Sequence, residues 1–216
     1  MKTIKGYWFS ESDALPNGDF RPIVVGESHH VDGTIVPCRW GLHASRNPLH
    51  ALRYAHGNIL WGVELFGKII PHLDDKYVAS NRRYLWRIDA DDMLRRFARK
   101  CALDVSHLWN APDVVNKYLR TGDSKLREVA WNAFTNASRY RDRSSISWIT
   151  ARCSADGVFL HDSWTSAKTS SVNSSWAIAW AIDDSFNWNE SSDKAKKKLR
   201  HRFTSMIAAE RKKINE

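Results

Sequence analysis

The chain has 216 residues and a mass of 24.9 kDa, and 33 Lys and Arg against 24 Asp and Glu give a formal charge of +9 and a pI of about 9.6. Its 43% hydrophobic and 26% charged residues supply a core and exclude intrinsic disorder, and the length admits one large domain or two small ones. No apolar run approaches the roughly 18 residues of a membrane span, and Met1-Lys2-Thr3-Ile4-Lys5-Gly6 lacks a secretory apolar stretch, so a soluble cytoplasmic protein with no membrane partner is expected.

Thr3 to Phe9, rich in β-branched and aromatic residues and closed by Pro16-Asn17-Gly18, predicts a strand. Ile23-Val24-Val25 and Thr34-Ile35-Val36 read as short strands separated by Gly26 and Asp32-Gly33. Arg46 to Gly57 predicts a short helix, with Asn47 as N-cap, Pro48 at the first helical position and Gly57 past the end. Asn58 to Phe66 is apolar on both faces, as a central strand is, and Tyr84 to Ile88 predicts another strand. The acids of Asp89-Ala90-Asp91-Asp92 then open a helix with Met93, Leu94, Phe97, Ala98 and Cys101 on its apolar face.

Beyond this change of period the chain reads as helical. Ala111-Pro112-Asp113 opens a helix carrying Val114, Val115, Tyr118 and Leu119, and Thr121-Gly122-Asp123 stops it and starts another through Leu126, Val129, Ala130, Phe134 and Ala137. Ser144 to Ser175, rich in Ser, Thr and Asn, predicts helices with loops, and a closing helix runs from Ser191-Ser192-Asp193 through Lys213. Seven of the 11 Trp fall at or after Trp109, many beside small residues, a pattern commoner in cores than on base-stacking surfaces. The expected fold is α+β: a mixed β-sheet domain with short helices over 1–90, then a Trp-rich all-α region of short antiparallel helices over 91–216.

Cys38, Cys101 and Cys153, odd in number and widely spaced, argue for reduced thiols rather than disulfides or a thiolate zinc site. His29, His30, Cys38 and His43 lie close in sequence without His-Glu-x-x-His spacing, so no metal is expected. Cys38 and His43 lack the orienting third group that nucleophilic catalysis uses. Phosphate-binding glycine loops and the Gly-x-Ser-x-Gly elbow are absent from the sequence.

The carboxy-terminal stretch is the most charged. Lys194, Lys196, Lys197, Lys198, Arg200, Arg202, Arg211, Lys212 and Lys213 stand against three acids, two-thirds of the whole excess charge. On one helix such a cluster neutralises phosphates and releases counterions, and the competing expectation is a solvated terminal helix. Arg82, Arg83, Arg87, Arg95, Arg96, Arg99 and Lys100 are offset by Asp89, Asp91 and Asp92.

Trp40-Gly41-Leu42-His43-Ala44, followed by Pro48-Leu49 and Tyr54, with Lys5-Gly6-Tyr7 upstream and Val63-Glu64-Leu65-Phe66-Gly67 and Asp74-Asp75-Lys76-Tyr77 downstream, resembles an uncharacterised domain family of bacteriophages and bacteria over roughly residues 3 to 110. The order Gly41-Leu42-His43-Ala44, helix, strand is also similar to the poly(ADP-ribose) polymerases and the wider ADP-ribosyltransferase fold. That resemblance implies NAD as cofactor, Tyr7 (or Lys5) and His43 toward the NAD ribose and Tyr54 as the nearby aromatic. Its acid would fall near Ser80-Asn81-Arg82, where none stands, leaving Glu64 as the substitute. The expected function is therefore a non-catalytic binding protein without a cofactor, a phage-encoded accessory or inhibitor factor that engages nucleic acid or an acidic host protein through its basic helix. The alternative is an ADP-ribosyltransferase with an atypical site; Trp surfaces also admit a homo-oligomer.

Overall fold

The computed structural model describes residues 2–16, 18–72, 75–108, 110–137, 163–182 and 188–215. The chain divides into two compact units, Met1–Asp91 with Ala208–Glu216, and Asp92–Ile207.

In the first unit, β1 (Ile4–Ser10), β2 (Ser28–His30), β3 (Leu42–Ser45), β4 (Ile59–His72) and β5 (Lys76–Asp89) form one sheet in which every pair is antiparallel. β4 and β5 are the two arms of a long hairpin, in register from Ile59 opposite Asp89 to His72 opposite Lys76, with irregularities at Gly62/Val63 and Phe66/Ile69. β1 lies on the other side of β4, and β3 joins β1 to β5, so the pairings β1–β4–β5–β3–β1 close into a ring, with β2 added on β5. This explains the apolar residues on both faces of β4: Ile59 through Val63 are all buried, with a strand on each side. Ile4, Leu42, Trp61, Val63, Val78 and Tyr84 belong to the core.

Two expected strands are corrected. Ile23-Val24-Val25 and Thr34-Ile35-Val36 are not strands, and β2 and β3 form between and after them. Each run contributes one core residue, Ile23 and Ile35, while Val24, Val25 and Val36 are exposed. Gly26 and Gly33, both at positive φ, turn the chain before a strand can extend. The helix α1 (Pro48–Arg53) begins as predicted, with the Asn47 side chain accepting from the Leu49 amide and Pro48 in the first turn, but it ends before Gly57. Gly57 has another cause: a Cβ there would strike the backbone of Ser10 and Glu11.

In the second unit, α2 (Asp91–Val105, its first residue in the other unit) buries Met93, Leu94, Phe97, Ala98 and Cys101, the apolar positions read from the sequence. α3 (Asp113–Thr121) stops at Gly122, whose φ of 69° is left-handed, and its amide returns to the Tyr118 carbonyl. After a 3-10 turn, Ser124–Leu126, come α4 (Arg127–Ala137), α5 (Ser163–Ile182) and α6 (Trp188–Asn215), whose residues from Ala208 on belong to the first unit. The part of the Ser-rich stretch that is described, from Ser163 on, is continuous helix, with Ser163, Ser166, Ser170 and Ser174 buried in a stripe. Trp131 is half-buried against a cluster of Tyr118, Leu119 and Ala130. Cys153, Trp148 and the side chains of Trp164, Trp176, Trp180 and Trp188 lie outside the described residues. No described helix is long and apolar enough to cross a membrane.

Candidate functional site

Two features hold the residues singled out above. The first is a cavity of about 230 Å³ in the β-rich unit, lined by Tyr7, Trp8 and Phe9 of β1, His43, Ala44 and Ser45 of β3, Ala51, Tyr54 and His56 in and after α1, and Pro16, Cys38 and Lys76. β1 and β3 meet at Tyr7 opposite Ser45. That approach needs Gly6, where a Cβ would lie 2.7 Å from the Ser45 carbonyl oxygen. Lys76 starts β5 opposite Ser45, so the hairpin delivers its ammonium to the same place.

Inside the cavity, Lys76 Nζ lies 4.1 Å from the centre of the Tyr54 ring and donates to Cys38 Sγ at 3.4 Å. The neighbouring acid, Asp75, is directed elsewhere, to the Asn47 amide and to His50 Nδ1 at 3.4 Å. The Cys38 amide, at a left-handed φ of 62°, donates to His43 Nε2 at 3.2 Å. An amide N–H only donates, so Nε2 is the acceptor and the neutral His43 ring carries its proton on Nδ1. Burial, reinforced by the positive charges of Lys76 and Arg82, pushes His43 down to about 4. Its accepting lone pair is therefore engaged by the Cys38 amide and not directed to the Cys38 thiol. Burial raises the Tyr7 hydroxyl above its ordinary value, against the opposing charge of Arg211.

Tyr7, His43 and Tyr54 thus share one cavity, whereas Glu64 does not line it. Glu64 sits on β4 between Lys5 of β1 and Arg83 of β5, with an Arg83 nitrogen at 3.9 Å. Where the transferase resemblance needs an acid, at Ser80-Asn81-Arg82, the structure has an uninterrupted strand and a buried arginine. Lys76 and His56 were not singled out as cavity residues from the sequence. In the sequence Lys76 stands out only as part of the Asp74-Asp75-Lys76-Tyr77 stretch that carries the family resemblance.

The second feature is α6. Ala195, Leu199, Phe203 and Ile207, spaced by four, are its buried stripe, and Phe203 packs on Phe97 with ring centres 4.6 Å apart. Lys194, Lys196, Lys197, Lys198 and Arg200 are exposed. Arg202 is engaged internally, making a two-pronged pair with Asp104 at 2.7 and 2.9 Å and donating to the Lys100 carbonyl. Lys198 also approaches Asp104, at 3.5 Å, and Lys196 pairs with Asp193 one turn away. Near the helix end Arg211 lies over the Trp86 ring at 4.7 Å and Lys213 pairs with Glu210, while Lys212 is exposed. Among the described residues no cluster of three or more His, Cys, Asp or Glu is arranged to hold a metal ion.

Residues 17–96 match the model of a domain of unknown function, DUF7666. The match takes in β2 to β5 and α1, hence Cys38, His43, Tyr54 and Lys76, but not Tyr7, Trp8 or Phe9 of β1. No curated protein and no solved structure matches the chain.

Proposed function

We propose that this is a non-catalytic protein that binds nucleic acid through the cationic face of α6, in the cytoplasm of the cell in which it acts, as an accessory factor. The observation that carries the reading is the division of that helix: Leu199 and Phe203 are turned into the unit, while Lys194, Lys197 and Arg200 are exposed. From Lys194 to Arg200 the helix rises about 9 Å, a length over which one duplex strand presents two or three phosphates. A protein neutralising about three phosphates has a log–log salt slope near −3 on duplex DNA.

Titration of the full chain with labelled single- and double-stranded DNA and RNA at several salt concentrations tests this. The triple variant Lys194→Glu, Lys197→Glu, Arg200→Glu is expected to lose binding to all sequences and most of the salt slope. Binding that persists unchanged in that variant removes α6 from the proposal. Binding to acidic polypeptides but to no nucleic acid replaces the partner.

A second reading, ADP-ribosyl transfer from NAD, is supported by the gathering of Tyr7, His43 and Tyr54 around one cavity. Among the described residues it lacks an acid there, and calorimetry with NAD tests it directly: no heat at millimolar NAD eliminates it.

A further inference from the structure

Among the described residues, the cavity of the β-rich unit presents a positive charge with no negative partner in its lining. The described lining residues include Lys76 and no Asp or Glu. Lys76 is half-buried, its ammonium resting on the Tyr54 ring and the Cys38 sulfur. A ring quadrupole and a thiol compensate a desolvated ammonium far less than a carboxylate does. Asp75, the acid next to it, is turned toward α1 by the Asn47 amide and His50. Tyr7 and Phe9 of β1 add aromatic rings to the lining, and the volume of about 230 Å³ suits one planar ring and a head group rather than a drug-sized molecule.

We propose that this cavity binds a small planar molecule bearing an anionic group, a carboxylate or a phosphate monoester, with the anion on Lys76 and the ring against Tyr7 and Phe9. His43, in the same cavity, is lowered first by burial and then by the positive charges of Lys76 and Arg82. These surroundings disfavour a cationic ring, so the ligand class differs from the positively charged nicotinamide of NAD. The site lies in the β-rich unit and is independent of the α6 proposal.

The experiment is an NMR titration of the full chain with benzoate, phenyl phosphate, benzyl alcohol and benzyltrimethylammonium, each to about 10 mM, a range that detects millimolar affinity. At least one anion is expected to shift the Tyr7, His43 and Tyr54 resonances saturably, with the neutral and cationic probes at least tenfold weaker. The stronger of the two anions identifies the source of the charge. Lys76→Met is expected to lose tenfold or more in affinity with its fold intact by amide spectrum, and Lys76→Arg to retain most of it. The proposal is overturned if neither anion binds, if the neutral or cationic probe binds as well, or if folded Lys76→Met binds like the parent.

Discussion

The Arg82 guanidinium stacks 3.8 Å from the centre of the Trp8 ring, in a core where Arg82 is only 2% exposed. Its hydrogen bonds go to the Tyr84 hydroxyl, through Nε and a terminal nitrogen, and to the His43 carbonyl, none of them to a carboxylate. Because the Tyr84 oxygen accepts from Arg82, its own hydrogen is directed to His29 Nδ1 at 2.9 Å. A delocalised, weakly hydrated cation is thus held by aromatic faces and by dipoles.

This arrangement predicts an unusual order of substitutions. Lys at position 82 keeps the charge to be desolvated but loses the flat face over Trp8 and the forked donation to Tyr84. Arg82→Lys should cost about 3–5 kcal/mol and Arg82→Met about 1–3 kcal/mol. Urea unfolding measures both, and a Lys variant more stable than the Met variant contradicts the account.

Stability should also fall on mild acidification. His43 is depressed to about 4 and His29 is lowered as well, burial being the first cause in each. As pH falls below the ordinary histidine value of about 6.5, the unfolded chain takes up these protons before the folded one does. Stability is therefore full above pH 6.5 and is lost progressively toward pH 4, by about 2 kcal/mol for His43 after allowance for its partial exposure. In urea midpoints taken between pH 7 and 4.5, His43→Gln, whose side-chain oxygen can still accept from the Cys38 amide, should flatten the decline relative to the parent.

Gly62 is opposite Trp86 across the β4–β5 hairpin, and a Cβ at that position would fall within the indole. Gly62→Ala should destabilise by about 2–3 kcal/mol through overpacking. Adding Trp86→Leu should restore part of the loss, because it removes the obstructing ring. Thermal melts of the parent, the two single variants and the double variant decide it, and additive losses would rule out the steric cause.

The cations of α6 should separate into two groups. Arg202→Ala removes the forked pair with half-buried Asp104 and should cost about 1–3 kcal/mol. Lys197→Ala should leave stability within about 0.5 kcal/mol, yet weaken nucleic-acid binding and lower its salt slope by about one. Denaturation and binding measured on the same preparations check both halves.

Features that depend on neighbouring residues were legible along the chain. The 3.6-residue period of Met93, Leu94, Phe97 and Cys101, the Asn47-Pro48 helix start, the Gly122 stop and the two-faced apolar run of β4 are each written within a few residues, because caps, turns and periodicity are local chemistry. The ends of the elements were less legible: β5 begins at Lys76, eight residues before its apolar stretch, because β4 and β3 both offer it partners. The apolar runs around Ile23 and Ile35 read as strands but are loops that each bury one residue, since burial follows from hydrophobicity while a strand needs a partner in register. The same holds for the sites. His43, Tyr7 and Tyr54 were suggested by motif, and the basic helix by composition. That Lys76 joins the three in one cavity, that Asp75 turns from its neighbour to α1, that Arg202 is engaged by Asp104 and that Glu64 stays outside all follow from contacts between distant parts of the chain. Charge and polarity belong to a residue, but whether a charge is free to meet a ligand depends on which other residues the fold brings within hydrogen-bond reach.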